Sequence, residues 1–168
     1  MKKISIFLML LAFTLGFSQP TTAAPTPTKV VANVLSVYSD AYTTNVVPNF
    51  NFNTFQGGGT ITNEMNFAGI AGNTVGKILG LTYYGAQWDA QNVSGFGYVH
   101  LDYYTDNSTA FNFYLIDKNA NIPGGNPAEP RYAVSSPVKG SWQSIDIPLS
   151  TFSTYNTGTF TYNLNENE

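Results

Sequence analysis

The segment Tyr98–Tyr104 alternates: Val99, Leu101 and Tyr103 form one set, and Tyr98, His100, Asp102 and Tyr104 the other. Successive residues of a strand point to opposite sides of its sheet, so a period of two sorts a chain into a buried and an outward face. Ala110–Asp117 repeats the pattern. Phe111, Phe113 and Leu115 fall on the inward side, and Asn112 and Tyr114 on the other, with Ile116 interrupting the polar face. Helical periodicity is hard to find, and turn residues recur at short intervals, which predicts an all-β chain.

The expected strands are Val30–Tyr38, Glu64–Ala68, Thr74–Tyr84, Tyr98–Tyr104, Ala110–Asp117, Arg131–Ser135, Trp142–Ile147 and Thr159–Asn163. Thr105-Asp106-Asn107-Ser108 is rich in turn formers and predicts a hairpin joining the fourth and fifth of them. Asn49–Phe55 also alternates, and its Gly- and Asn-rich setting leaves an edge strand and an ordered loop both open. Two half-apolar sheets bury their apolar sets by packing face to face, so a β-sandwich of two antiparallel sheets is expected.

The ends divide the chain into three parts. Residues 1–18 have a basic start (Lys2, Lys3), an apolar run from Ile4 to Phe17 and small residues at Gly16 and Ser18. That is the layout of a secretory signal peptide cut after Ser18, and its apolar run is too short for a membrane span. Residues 19–29 include Pro20, Pro25 and Pro27 among threonines and alanines, predicting an extended, exposed tether. Residues 30–168 form one domain, of ordinary size. The expected location is outside the cytoplasm: secreted, periplasmic or at the cell surface.

Lys2 and Lys3 are two of only seven Lys and Arg, against ten Asp and Glu. The exported chain is therefore acidic, without the cationic surface that nucleic acid or anionic lipid requires. It has no cysteine, so its stability must come from a packed core and not from disulfides.

Four segments, LSVYSDAYT from Leu35, AGNTVGKILGLTYYGAQW from Ala71, VSGFGYVHLDYYTDNSTAFNFYLI from Val93 and SWQSIDIPLSTF from Ser141, cover most of Val30–Phe152. In order and spacing they resemble the galactose-binding-type, carbohydrate-binding-module-like jelly rolls of secreted bacterial polysaccharide hydrolases such as laminarinases. The resemblance implies a jelly roll that holds a polysaccharide, a β-glucan for example, near an attached or partner glycoside hydrolase domain, with a structural calcium and no chemistry of its own. Such domains close with a strand carrying an Asp-Asn pair before apolar residues. This chain ends instead at Thr161-Tyr162-Asn163-Leu164-Asn165-Glu166-Asn167-Glu168, either as a fragment lacking that strand or with a diverged terminus.

Sugars stack their apolar CH faces on aromatic rings, and planar polar side chains take their hydroxyls. Tyr84, Trp88, Tyr98, Tyr104 and Tyr114 are the candidate rings; His100, Asp102, Asn112 and Arg131 are the candidate polar contacts. Packing within a sheet is the competing role for each. Trp142, ahead of the Ile145–Leu149 run, is expected in the core. Asp40 is the candidate calcium ligand, with a capped Ser39-Asp40 turn as the alternative. His100 and Asp102 share a face, but no nucleophile or third metal ligand accompanies them in the sequence. Nor does spacing pair any two carboxylates for glycoside hydrolysis, so no enzyme activity is expected. A structural or adhesive extracellular β-sandwich, calcium-stabilised, is the alternative to glycan binding.

Overall fold

The computed structural model describes residues 19–89, 91–115, 130–153 and 163–164. The signal peptide, Ile116, Asp117, Glu129 and most of the expected strand Thr159–Asn163 lie outside them. The fold is all-β: ten strands and three short 3₁₀ turns account for the regular structure among the described residues.

β1 (Asn51–Gly57) and β4 (Tyr83–Gln87) pair antiparallel, as do β2 (Thr60–Glu64) and β3 (Val75–Leu79). The two pairs form one long ribbon. Thr60 faces Leu79, whereas Gly57 faces Tyr83, so the register slips by one where Gly58-Gly59 meets Gly80. Gly59 has φ +68°, and a Cβ there would lie 1.9 Å from the Leu79 carbonyl oxygen. Only glycine fits so close a backbone approach at a left-handed φ.

This ribbon corrects two expectations and decides between the two alternatives for a third. Thr74–Tyr84 is two strands, broken at Gly80–Thr82; Glu64–Ala68 ends its strand at Glu64 and turns into a 3₁₀ element at Phe67–Gly69; and Asn51–Gly57 is a strand. Val30–Tyr38 is likewise not a strand. It holds a 3₁₀ turn at Val31–Asn33 and a single parallel bridge between Ser36 and Val46. β-Branched residues favour strands only where a partner covers them, and Val30 and Val31 are exposed.

β6 (Tyr98–Tyr103) pairs antiparallel with β9 (Gln143–Pro148), and β7 (Phe111–Tyr114) with β8 (Arg131–Val134). The connection Thr105–Ser108 is thus not a hairpin turn between paired strands. Its Thr105 carbonyl instead accepts the Gly140 N–H, 2.8 Å away, at the approach to β9. β5 (Gln91–Asn92) pairs with β10 (Asn163–Leu164).

Val93, Leu115, Ile147, Leu149 and Phe152 form the buried centre, with Ile147 and Phe152 completely enclosed. Val99 and Ile145 reach it from the β6–β9 pair, and Phe113 and Tyr132 from the β7–β8 pair. These are the inward members of the alternation, and each fully buried side chain contributes about 1.5–3 kcal/mol. A second apolar grouping is aromatic. Tyr38 lies 5.0 Å from Phe52, Phe52 5.5 Å from Tyr84, and Phe50 6.4 Å from Trp88, centroid to centroid.

Candidate glycan-binding face

Because Val99 turns into the core, Tyr98, His100 and Asp102 share the outward side of β6. Across the ladder His100 faces Asp146, Asp102 faces Ser144 and Tyr98 faces Pro148. Directly opposed residues of an antiparallel pair lie on one side of the sheet, which makes a continuous row. His100 Nδ1 is 2.7 Å from Asp146 Oδ1, and Nε2 is 3.4 Å from Asp102 Oδ2. The Ser144 hydroxyl donates to Asp102 Oδ1.

Both ring nitrogens of His100 therefore meet carboxylates, and a neutral imidazole can donate to only one of them. The serine hydroxyl is committed to Asp102 and not to the imidazole, so the row is a hydrogen-bonded lattice of imidazole, carboxylates and hydroxyl. At one end the Lys29 ammonium sits over the Tyr98 ring, 5.4 Å from its centroid. Hydrogen bonding to Tyr98, then the electrostatic influence of Tyr98 and of Asp146, raises Lys29 above the ordinary lysine value.

The nine residues expected to contact sugar fall into four places. Tyr98, His100 and Asp102 form the β6–β9 row. Tyr114 and Arg131 face one another on the exposed side of the β7–β8 pair, where Asn112 opposes Ala133. Tyr84 and Trp88 are partly buried in the aromatic grouping, with the Tyr84 hydroxyl donating to the Phe52 carbonyl. Tyr104, one residue past β6, meets Trp142, ring edge to face at 5.9 Å. No family model, curated protein or solved structure matches this chain.

Trp142 corrects the expectation of a core residue. It is half-buried, and its indole N–H donates to the Thr22 carbonyl at 2.8 Å. Asp40 Oδ2 accepts the Thr74 N–H at 2.9 Å, while Ser39 Oγ accepts the N–H groups of Ala41 and Tyr42. Among the described residues no three His, Cys, Asp or Glu side chains are grouped so as to hold a metal, and no helix is long and apolar enough to cross a membrane.

Ser144, Asp146 and Lys29 were not among the expected site residues. The alternation of Gln143–Ile147 marks Ser144 and Asp146 as outward, but a local pattern does not state which strand lies alongside. Lys29, at the end of the linker, carries no pattern at all.

Proposed function

We propose that this chain is an exported, non-catalytic glycan-binding module of jelly-roll type, serving an attached or partner glycoside hydrolase. The observation that carries the reading is the β6–β9 row: an aromatic ring, Tyr98, continuous with exposed imidazole, carboxylate and hydroxyl groups. A ring to stack on, beside planar acceptors and donors, is what a pyranose requires. Two strand pairs directing apolar sets into one centre support the sandwich, and the export expectation rests on the Lys2–Ser18 pattern.

The test is affinity electrophoresis of the purified chain through gels containing soluble polysaccharides, β-glucans first. Retention is expected, and Tyr98→Ala should weaken it about two- to tenfold, as the loss of one aromatic contact does. His100→Ala should weaken it too. Trp88→Ala should act instead through stability, because Trp88 is packed on Phe50. No retention on any polysaccharide overturns the reading.

A structural or adhesive sandwich is the second reading. It is favoured by the row's own internal bonds, which already pair His100, Asp102, Ser144 and Asp146 with one another. The same gels decide between the two.

A further inference from the structure

Residues 19–29 are not a free tether along their whole length. Gln19–Pro25, without helix or strand, lies along Tyr104, Ser141 and Trp142, with an open space of about 320 Å³ left between the segment and these residues. The indole N–H of Trp142 holds the Thr22 carbonyl across a sequence separation of 120 residues. The Tyr104 ring stands edge-on beside that indole. None of the side chains lining that open space is charged.

Proline-rich chain keeps an extended shape without internal hydrogen bonds, leaving its carbonyls free to accept. Grooves that recognise such chain pair aromatic walls with donors to those carbonyls, and they benefit from the low entropy cost of a preformed ligand. Both halves of that arrangement are present here, on one molecule. We propose that Tyr104 and Trp142 form a binding groove for extended, proline-rich polypeptide, and that Gln19–Pro25 is its intramolecular occupant. The segment is a ligand held in cis: its Thr22 carbonyl sits on the Trp142 indole N–H, and it exchanges with the same sequence supplied in trans. The groove adjoins the Tyr98–Asp102 row but uses other side chains, so this assignment does not depend on whether that row binds glycan.

Tethering gives the cis segment an effective concentration on the order of millimolar, so the native chain should resist a free competitor. The full chain carrying Trp88→Phe leaves Trp142 as the only tryptophan of two. In that background Pro20→Gly/Pro25→Gly, which loosens the extended segment, should make Trp142 more accessible to acrylamide. Adding a synthetic peptide of the Gln19–Thr28 sequence should then restore shielding saturably, and a version with every proline replaced by alanine should not. Equal quenching with and without the two Pro→Gly changes, no response to millimolar peptide, or an equal response to the proline-free peptide would each overturn the proposal.

A second measurement needs no change at Trp88. Trp142→Phe keeps a ring but removes the indole N–H, and proteinase K should cut between Thr21 and Ala24 about two- to tenfold faster, as expected for one lost neutral hydrogen bond. An unchanged cleavage rate in a chain that melts like the parent counts against the groove.

Discussion

Two tyrosines show how burial acts on a single side chain. Tyr38 and Tyr84 are both pushed up to about 12 from an ordinary value of 10.0, chiefly by partial burial against the aromatic grouping, with Tyr38 still 38% exposed. The charge of Asp40 adds to the shift at Tyr38, and Tyr38 adds to it at Tyr84. Burial disfavours the phenolate, so the folded chain holds these protons where the unfolded chain has lost them. Stability from both groups is therefore complete below pH 10 and is lost as pH rises toward 12. Thermal melts should show a falling midpoint across that window. In a phenolate-absorbance titration two tyrosines should ionise late, and Tyr84→Phe should remove one of them and flatten the decline. A late class unchanged by Tyr84→Phe would show that the aromatic grouping does not enclose it.

Among the elements, the long ribbon depends on its glycine slip. Alanine at Gly59 would meet backbone carbonyls at 1.9 and 2.7 Å, whereas at Gly69, also left-handed with φ +73°, nothing lies within 4 Å of the added carbon. Gly69→Ala should therefore cost about 1–2 kcal/mol, the penalty for a left-handed residue alone. Gly59→Ala should cost more, because the β2–β3 pair must also shift. Urea unfolding of both variants measures the difference, and equal costs would place the register slip elsewhere.

At this scale much was legible and some was not. β6, β7, β8 and β9 fall within a few residues of the expected strands, because each alternates strictly and its parity is a local property. The pairing of β6 was not legible. Thr105–Ser108 has the composition of a hairpin turn, yet the strand beside β6 is β9, about forty residues further on, and hydrogen bonding between strands leaves no mark in either one alone. Val30–Tyr38 misled for the opposite reason: strand-forming composition is present, but only Ser36 finds a partner.

For the molecule as a whole, the short segment after β9 completes the core. Leu149 and Phe152 are two of the five buried residues at its centre, and Phe113 meets Phe152 ring edge to face at 6.0 Å. Removing a buried leucine or phenylalanine costs about 2–5 kcal/mol, so losing both approaches the whole stability of a typical domain, about 5–15 kcal/mol. Without disulfides there is no covalent reserve. Leu149→Ala/Phe152→Ala should abolish the cooperative thermal transition and the near-ultraviolet dichroism, whereas either change alone should leave a lowered but cooperative melt. A cooperative transition in the double variant would mean that the aromatic grouping around Phe52 sustains the fold by itself.

The amino-acid order alone determined that the chain is built of short strands, which residues of β6 and β7 turn inward, and that Tyr98, His100 and Asp102 share an outward side. Those follow from a backbone period of two, which operates between neighbours. Only the tertiary structure decided that Asp146 and Ser144 complete that side, that Tyr84 and Trp88 pack among other rings, and that Trp142 holds Thr22 across most of the chain. Such contacts join residues whose separation in sequence carries no periodic signal. They depend on which strands find each other when the apolar sets are buried.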